Sequence, residues 1–423
     1  MERSRIRLGN LAATLSLTTL CGACQGKGLT GPTSGSAGPT SGPAAPAGQP
    51  QASSFSIEVV TVTYGLPPDP DGYTVTLDDR IQRRLGRNES LIFDGLSGDS
   101  HRLALSGVAD NCVVDGGDTR AVTIGGSRGW VEFEVACSGA ARLDRQIVFT
   151  SLSAPYGEEI WAMSANGQGA TRLTRPHRRS DFARVSADGS RVAFASPGDD
   201  PRGRWALFVM NADGSGEERL TPFSDNVPGS WSPDGGWIAF TSGPGSDGRS
   251  LDAGMRGPSD GGNIHIIRAD GSEEIRLTDD SARDHDPAWS PDGKSIVFAT
   301  DREGNLEIYR MRLSDRRLQN LTAHASFDAQ PAWSPDGSKI AFTSRRDGND
   351  DIYVMNADGS GVRRITAGPE SDVDPAWSAD GARVLFSSDR EGAYQIFVVN
   401  ADGSGRVRLT EVEGEGMRGQ WSP

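Results

Sequence analysis

The sequence has little cysteine, little histidine and a deficit of positive charge. Its 423 residues include four cysteines and five histidines, and 43 lysines and arginines stand against 57 aspartates and glutamates. The net charge of −14 argues against binding to nucleic acid or to an anionic membrane surface, because both need clustered Lys and Arg. It favours solubility and a neutral or cationic partner.

Large apolar residues are also few. A hydrophobic content of 35% is low for a helical protein, whereas 54 glycines are many. This composition is typical of short strands joined by tight turns, and it predicts an all-β protein. The chain is long enough to hold two or three domains, each with a sizeable core.

The N-terminus has the pattern of a targeting segment. Three arginines lie among the first seven residues, and the uncharged apolar run Leu8–Leu20 follows them. That run is too short to span a bilayer as a mature helix. We therefore assign residues 1–23 to a signal peptide and expect the protein to be exported.

Residues 20–24 read Leu-Cys-Gly-Ala-Cys, small residues that run into a cysteine. This segment resembles a bacterial lipoprotein signal, which implies that Cys24 is the lipidated first residue. Cys21 stands where such signals normally have leucine, so an ordinary secretory signal stays open. Gln25 is not the aspartate that tends to retain lipoproteins in the inner membrane. The resemblance therefore implies an outer-membrane lipoprotein facing the periplasm or cell surface, with the lipid as its only membrane contact.

Residues 24–54 join this cysteine to the first domain. From residue 25 they are almost wholly Gly, Pro, Ser, Thr, Ala and Gln. They lack the large apolar side chains whose burial offsets the entropy lost on ordering, so we predict a disordered, flexible tether.

Residues 55–140 contain six segments rich in β-branched and aromatic residues, and several of them alternate apolar with polar residues. Turn sequences separate the segments, so the pattern predicts a small β-sandwich. The runs Asp71-Gly-Tyr-Thr-Val and Leu105-Ser-Gly-Val-Ala-Asp-Asn-Cys resemble those of immunoglobulin-like and carboxypeptidase-regulatory-like modules. The resemblance implies a spacer or a carbohydrate-facing domain, without a catalytic role.

Cys112 and Cys137 are the remaining cysteines. In an exported protein an isolated pair is typical of one disulfide, which here would join late strands of the sandwich. The alternative is metal binding, for which two thiols without nearby histidines supply only half a site.

A repeat occupies the rest of the chain. Its clearest copy is Pro331-Ala-Trp-Ser-Pro-Asp-Gly337, followed by Ser-Lys-Ile-Ala-Phe-Thr-Ser344. The tryptophan position of this motif falls at Val185, Trp231, Trp289, Trp333, Trp377 and Trp421, and the last three steps are each 44 residues. A fixed period of this length indicates a repeat architecture.

Each unit has the pattern of four strands joined by hairpin turns, which is that of a β-propeller blade. The apolar triplet of the second strand occurs six times, as Ile147-Val-Phe, Val192-Ala-Phe, Ile238-Ala-Phe, Ile296-Val-Phe, Ile340-Ala-Phe and Val384-Leu-Phe. The first unit lacks a preceding Trp-Ser-Pro-Asp-Gly strand, and the chain ends on an orphan one, Gly419–Pro423. We therefore predict a six-bladed β-propeller over residues 146–423, in which the C-terminal strand completes the first blade and the tryptophans fill the gaps between sheets.

Residues 146–423 resemble the TolB-type (WD40-like) propeller repeat through their Trp-Ser-Pro-Asp-Gly, Ile-Ala-Phe-Thr-Ser and Ile-Tyr-Val-Met-Asn-Ala-Asp-Gly-Ser runs. In that family TolB pairs a six-bladed propeller with an N-terminal α/β domain and binds the peptidoglycan-associated lipoprotein. The N-terminal module of this chain is instead β-rich, and the repeat is shared with peptidase propellers.

The resemblance implies a non-enzymatic envelope scaffold, which presents its channel mouth to an envelope protein or a peptidoglycan-associated lipoprotein. The alternative function is a propeller-type enzyme, either a polysaccharide lyase or hydrolase or a peptidase-associated propeller. We expect a monomer.

The candidate binding residues lie just before each tryptophan position. The innermost strand of a propeller blade lines the central channel, and its start lies at one mouth. The polar residues there are Asp181, Asp225, Asn226, Asp284, His285, Asp286, Asp328, Gln330, Asp372, Asp374 and Arg418. Two interpretations stay open: they bind a cation such as Ca²⁺ or a cationic peptide, or they cap turns. We expect no other cofactor.

No catalytic constellation accompanies these residues. The two Gly-x-Ser-x-Gly matches, at residues 125–129 and 257–261, lie in predicted turns and loops, and a nucleophile elbow needs a strand that runs into a helix. Paired charges such as Arg345-Arg346 in the loops after the second strands form either a rim for a partner or local ion pairs, and we favour the ion pairs. The insertion Ser242–Gly262 is predicted either to cover part of the channel mouth or to be disordered.

Overall fold

The computed structural model describes residues 55–139, 142–153, 157–243, 262–410 and 414–423. Over these ranges the regular elements are β-strands, and no helix there has the length and hydropathy to cross a membrane. The predicted signal segment, Cys24 and the tether lie outside the described residues, as does most of the predicted insertion, from 244 to 261.

The first part of the chain folds into two four-stranded sheets. Its strands are β1 (Phe55–Tyr64), β2 (Tyr73–Leu77), β3 (Ile81–Leu85), β4 (Ser90–Leu96), β5 (Ser100–Ser106), β6 (Cys112–Val114), β7 (Thr119–Thr123) and β8 (Arg128–Cys137). One sheet has the order β4-β1-β8-β6 and the other β3-β2-β5-β7. Val59 and Phe133 of the first sheet and Val75 and Leu103 of the second are fully buried in one core, so the two sheets form a sandwich.

The disulfide between Cys112 and Cys137 joins two neighbouring strands of this sandwich. The two residues stand directly opposite each other on β6 and β8, with their Cα atoms 4.0 Å apart. The predicted pairing of the two cysteines is confirmed.

Six four-stranded sheets follow, and we number them as blades 1 to 6. Their strands, from the innermost to the outermost, are as follows: blade 1, β32 (Glu415–Trp421), β9 (Gln146–Ser153), β10 (Gly157–Ser164) and β11 (Thr171–Arg172); blade 2, β12 (Asp181–Val185), β13 (Arg191–Ser196), β14 (Ala206–Asn211) and β15 (Glu218–Arg219); blade 3, β16 (Asn226–Trp231), β17 (Trp237–Ser242), β18 (Asn263–Arg268) and β19 (Glu274–Arg276); blade 4, β20 (Asp284–Trp289), β21 (Ser295–Thr300), β22 (Glu307–Arg312) and β23 (Leu318–Asn320); blade 5, β24 (Asp328–Trp333), β25 (Lys339–Ser344), β26 (Asp351–Asn356) and β27 (Arg363–Arg364); blade 6, β28 (Asp372–Trp377), β29 (Arg383–Ser388), β30 (Gln395–Asn400) and β31 (Val407–Arg408).

The C-terminal strand closes the ring. β32 pairs antiparallel with β9, so that Trp421 stands opposite Ile147 at the end of the ladder. Each inner strand contacts the next, and β32 contacts both β28 of blade 6 and β12 of blade 2. The all-β propeller fold and the closing strand are as the repeat predicts.

The recurring tryptophans pack between consecutive blades, as predicted. The indole Nε1 of Trp231 donates a hydrogen bond to the carbonyl of Arg184 in the preceding blade, at 2.8 Å. Trp377 makes the same contact with the carbonyl of Ala332, at 3.2 Å. A flat side chain with one donor thus joins each of these pairs of inner strands.

The Ser-Pro-Asp-Gly segments form the predicted turns between first and second strands. In blade 5 the amide of Gly337, at φ 70°, donates to the carbonyl of Ser334. The hydroxyl of Ser334 and the amide of Ser338 both donate to Asp336. These hydrogen bonds, with that of the Ser334 hydroxyl foremost, lower the pKa of Asp336 to about 2. The turn explains these residues without a ligand.

Candidate functional site

A β-bulge interrupts the inner strand of every blade, shortly before the tryptophan position. The register of each inner strand shifts there against the second strand of its blade. In five blades the residue three before the tryptophan position has a positive φ, between 54° and 58°; these are Phe182, Asp286, Gln330, Asp374 and Arg418. Positive φ is uncommon for residues other than glycine, and here it turns one side chain per blade toward the propeller axis.

Blade 3 has Pro228 at this position, where the proline ring excludes a positive φ. The next residue, Gly229, forms the bulge instead. A Cβ atom on Gly229 would lie 2.0 Å from the carbonyl oxygen of Pro287, so only glycine fits between blades 3 and 4.

The bulge side chains meet in a central cavity of about 300 Å³. Its polar lining includes His285, Asp286, Gln330, Asp374, Arg184, Arg283 and Arg418, and its aromatic lining consists of Phe182, Trp289, Trp333, Trp377 and Trp421. The cavity therefore combines flat aromatic walls with charges of both signs, as small-molecule and peptide sites do.

Arg418 and Asp181 form a buried ion pair at one side of this cavity. Nη1 of Arg418 lies 3.3 and 3.2 Å from the two carboxylate oxygens of Asp181, and both side chains are almost completely buried. The guanidinium also lies over the Phe182 ring, 4.4 Å from its centroid. Because Arg418 belongs to β32 and Asp181 to β12, the pair joins the C-terminal strand in blade 1 to the inner strand of blade 2.

Of the two carboxyls that line the cavity, Asp374 has a buried oxygen without a hydrogen bond among the described residues. Gln330 Nε2 donates to its Oδ1 at 2.5 Å, whereas Oδ2 has no hydrogen-bond partner in the described part of the chain. Burial raises the pKa of Asp374 to about 6, with the positive charge of Arg418 opposing the rise. At neutral pH the cavity therefore holds an anionic oxygen that can accept a hydrogen bond.

His285 and Asp286 pair with each other, with Nδ1 of the imidazole 2.9 Å from Oδ2 of the carboxylate. Burial disfavours the imidazolium, but the Asp286 charge outweighs it and raises the pKa of His285. On the same wall Arg184 Nε donates to the carbonyl of Gly229 at 2.6 Å. Burial lowers the pKa of Arg184, and the charges of Asp374 and Asp286 oppose that effect.

The substitution Asp374→Asn is expected to weaken the pH dependence of stability between about pH 4 and pH 6. Because the folded-state pKa of Asp374 is raised from 3.8 to about 6, the folded chain holds a proton in this range that the unfolded chain has released. The contribution of this carboxyl to the free energy of unfolding therefore falls as the pH rises from 4 to 6. Urea unfolding at several pH values across this range measures the difference in the free energy of unfolding between the wild type and the variant. Carboxyls that titrate in the same way in both proteins cancel in this difference. Parallel curves would contradict the raised pKa.

Six of the eleven predicted residues, including Asp181, do not line the cavity. Three of them, the first residues of β20, β24 and β28, are buried and pair with arginines from the loops after the second strands. The pairs are Asp284 with Arg302 at 3.2 Å, Asp328 with Arg346 at 2.8 Å and Asp372 with Arg390 at 2.7 Å. Local ion pairs, not a charged rim, therefore explain these arginines, as favoured from the sequence.

Asp225 and Asn226 of blade 3 hold neighbouring backbone. Asp225 Oδ1 accepts from the amide of Trp205 at 3.2 Å, and Asn226 Nδ2 donates to the hydroxyl of Thr221 and the carbonyl of Pro222, each at 2.9 Å. Their side chains form hydrogen bonds with nearby backbone and side-chain groups, which agrees with the second interpretation from the sequence, that these residues cap turns.

The sequence prediction missed Arg184, Phe182 and the tryptophans as cavity residues. Arg184 precedes Val185, which replaces tryptophan in the weakest copy of the repeat. A signal for Phe182 was present, because it stands three residues before the tryptophan position, as Asp286, Gln330 and Asp374 do.

Comparison with known proteins agrees with this architecture. Residues 247–331 and 321–423 match the TolB beta propeller domain family. Over these residues the propeller of this chain is therefore similar to the TolB type. The TolB structure of Acinetobacter baumannii superimposes with a TM-score of 0.56 over 67% of this chain and 69% of that one. Their sequences are 22% identical, so this likeness concerns the fold.

Curated relatives of the TolB-type propeller fall into different protein classes. A TolB homologue of Chlorobium luteolum is 32% identical over 167 residues, which are 40% of this chain and 34% of that protein. An uncharacterised peptidase of Bacillus subtilis strain 168, YuxL, is 30% identical over 172 residues, 34% of this chain and 25% of the peptidase. The chain thus spans a quarter to a third of the length of these two relatives.

Proposed function

We propose that this chain is a non-enzymatic binding protein of the cell envelope, and that its TolB-type propeller presents the central cavity to a protein partner. An envelope protein or a peptidoglycan-associated lipoprotein fits this role, in line with the TolB homologues. The lipoprotein-like segment at residues 20–24 supports an envelope location, with anchoring through Cys24.

Unpaired polar atoms in the cavity wall carry the proposal. The indole Nε1 atoms of Trp289, Trp333 and Trp421 are buried and donate no hydrogen bond to any residue that the structure describes, and Oδ2 of Asp374 accepts none from them. Each such group costs free energy unless a partner satisfies it. Three donors and one acceptor beside aromatic surface suit a peptide segment, whose carbonyls accept from the indoles while an amide or ammonium donates to Asp374.

The charges of the cavity add selectivity to this arrangement. The carboxylates of Asp286 and Asp374 attract a cationic group, whereas Arg184 and Arg418 attract an anionic one. A peptide segment that carries both signs of charge therefore suits the cavity better than a neutral ligand. A cation such as Ca²⁺ has only two of its preferred carboxylate ligands here, beside two competing guanidinium groups.

A pull-down tests the proposal. The wild-type chain, used as bait in a bacterial envelope extract, is expected to retain a protein whose recovery falls at least about tenfold with the double variant Asp286→Ala/Asp374→Ala. The affinity is then measured with the purified chain and the purified protein that it retained. The control is Glu273→Ala/Asp315→Ala, because these carboxylates form salt bridges with exposed arginines outside the cavity, Arg268 and Arg312.

Equal recovery with the wild type and the cavity variant would overturn the proposal. The peptidase relative makes an enzyme the second candidate, although the residues that the structure describes around the cavity include no nucleophile paired with a histidine. Hydrolysis or elimination on a panel of peptides and polysaccharides, lost in His285→Ala, would replace binding by catalysis as the function.

A further inference from the structure

A cluster of two carboxylates and one imidazole lies where the sandwich meets the propeller. The backbone joins the two parts there, since the amide of Gly65 donates to the carbonyl of Arg172 at 2.8 Å and that of Leu66 to the carbonyl of Asp213 at 3.0 Å. The cluster belongs to this junction and is separate from the central cavity.

The geometry of the cluster follows from the strand that carries its carboxylates. Glu132 and Glu134 are two residues apart on β8, so their side chains project from the same face of the strand. Phe133, between them, points the other way, into the core of the sandwich. His177 approaches them from the loop between β11 and β12. One ligand atom from each of the three residues lies within 4.8 Å of the others, and Nε2 of His177 is 2.8 Å from Oε1 of Glu132.

A second observation points to a ligand. The side chain of Glu132 is only 7% exposed, and its Oε2 has no hydrogen-bond partner over the ranges that the structure describes. A buried carboxylate oxygen without a partner is costly, and a bound cation is one of the few groups that compensate it.

The two arginines beside the cluster, Arg172 and Arg175, form ion pairs with carboxylates that do not belong to it. Arg172 pairs with Glu159, and Arg175 pairs with Asp115, so the main carboxylate of each arginine lies outside the cluster. Arg175 Nε also lies 3.5 Å from Oε2 of Glu134. If Glu134 turns toward an ion, Arg175 keeps its ion pair with Asp115.

We propose that Glu132, Glu134 and His177 bind one divalent transition-metal ion, which fastens the sandwich to the propeller. One imidazole and two carboxylates, with water at a fourth position, suit Zn²⁺, which accepts nitrogen and oxygen ligands at about 2.0–2.2 Å. The all-oxygen preference of Ca²⁺ and Mg²⁺ fits the imidazole poorly. Two ligands come from the sandwich and one from the propeller, so the bound ion crosslinks the two parts.

Titration calorimetry of the untagged, metal-free full chain with ZnCl₂ tests the site. We expect one ion per chain, and a loss of affinity of at least about tenfold in both His177→Gln and Glu132→Gln. Zinc is also expected to raise the melting temperature of the wild type and not that of the two variants. His177 is half exposed, so its substitution leaves a folded protein in which the loss can be measured.

The matched control is His265→Gln. His265 also pairs with a glutamate, since its Nδ1 is 2.7 Å from Glu274, but that pair lies on β18 and β19 of blade 3. Unchanged zinc affinity in this control, with loss in the other two variants, supports the junction site. No saturable binding by the wild type, or wild-type affinity in His177→Gln, would overturn it.

Discussion

A chain that lacks residues 417–423 is expected to lose the cooperative unfolding of its propeller. The deletion removes Met417 and Arg418, each 4% exposed, and the Trp421 indole from the inner strand of blade 1. Burial of one Met side chain contributes about 1.5–3 kcal/mol. Leaving Asp181 buried without Arg418 costs about 3–5 kcal/mol. The sum approaches the total stability of an ordinary domain, about 5–15 kcal/mol.

The damage extends beyond blade 1, because β32 also contacts β12 and β28. Without it the ring is open, and β9 becomes an unpaired edge that favours aggregation. Thermal unfolding followed by circular dichroism, with light scattering in parallel, measures both effects. Val407→Ala on the outermost strand of blade 6 is the control, because that side chain is 54% exposed and its truncation changes little. A truncated chain that melts as the full-length protein does would disprove closure by this strand.

The repeat made the fold predictable, because its recurring residues act locally. Gly337 permits the turn at φ 70°, and tryptophans such as Trp377 reach the preceding blade at a fixed distance along the chain. A period of 44 residues therefore carries both the hairpins and the packing between blades. The repeat also predicted that the C-terminal strand completes the first blade, and this strand pairs with β9.

The cavity was predictable only in part, because the sequence does not display the bulge. In a regular strand Asp284 and Asp286 would share a face, since residues two apart point the same way. The register shift after His285 separates them, so Asp286 enters the cavity while Asp284 turns to Arg302. Side-chain direction at these positions depends on a backbone irregularity that composition and period leave undetermined.

The junction cluster could not be predicted from the sequence at all. His177 lies more than 40 residues from Glu132 and Glu134, in a different domain, and no spacing rule links them. Their proximity arises from the docking of β8 against the loop after β11, which is a tertiary event.

The substitution Arg346→Met is expected to destabilise the protein by about 3–5 kcal/mol, because it leaves a buried carboxylate without its counter-charge. Asp328 is fully buried, and Nη2 of Arg346 donates to both of its oxygens, at 3.0 and 2.8 Å. The guanidinium also lies over the rings of Phe342 and Tyr353. Arg345→Met in the same loop is the control, since its pair with Asp350 is partly exposed and contributes about 0–1 kcal/mol.

Removing both charges of this pair separates the effect of the unpaired carboxylate from that of lost packing. In Asp328→Asn/Arg346→Met no charge stays buried, so the double variant is expected to be more stable than Arg346→Met alone. Urea unfolding of the four proteins of this cycle gives the coupling free energy. Equal stabilities of the double variant and Arg346→Met would mean that packing against Phe342 and Tyr353, not charge, holds the arginine. Because Arg302 and Arg390 repeat the arrangement in blades 4 and 6, Arg390→Met provides a second measurement of the same pair in the same protein.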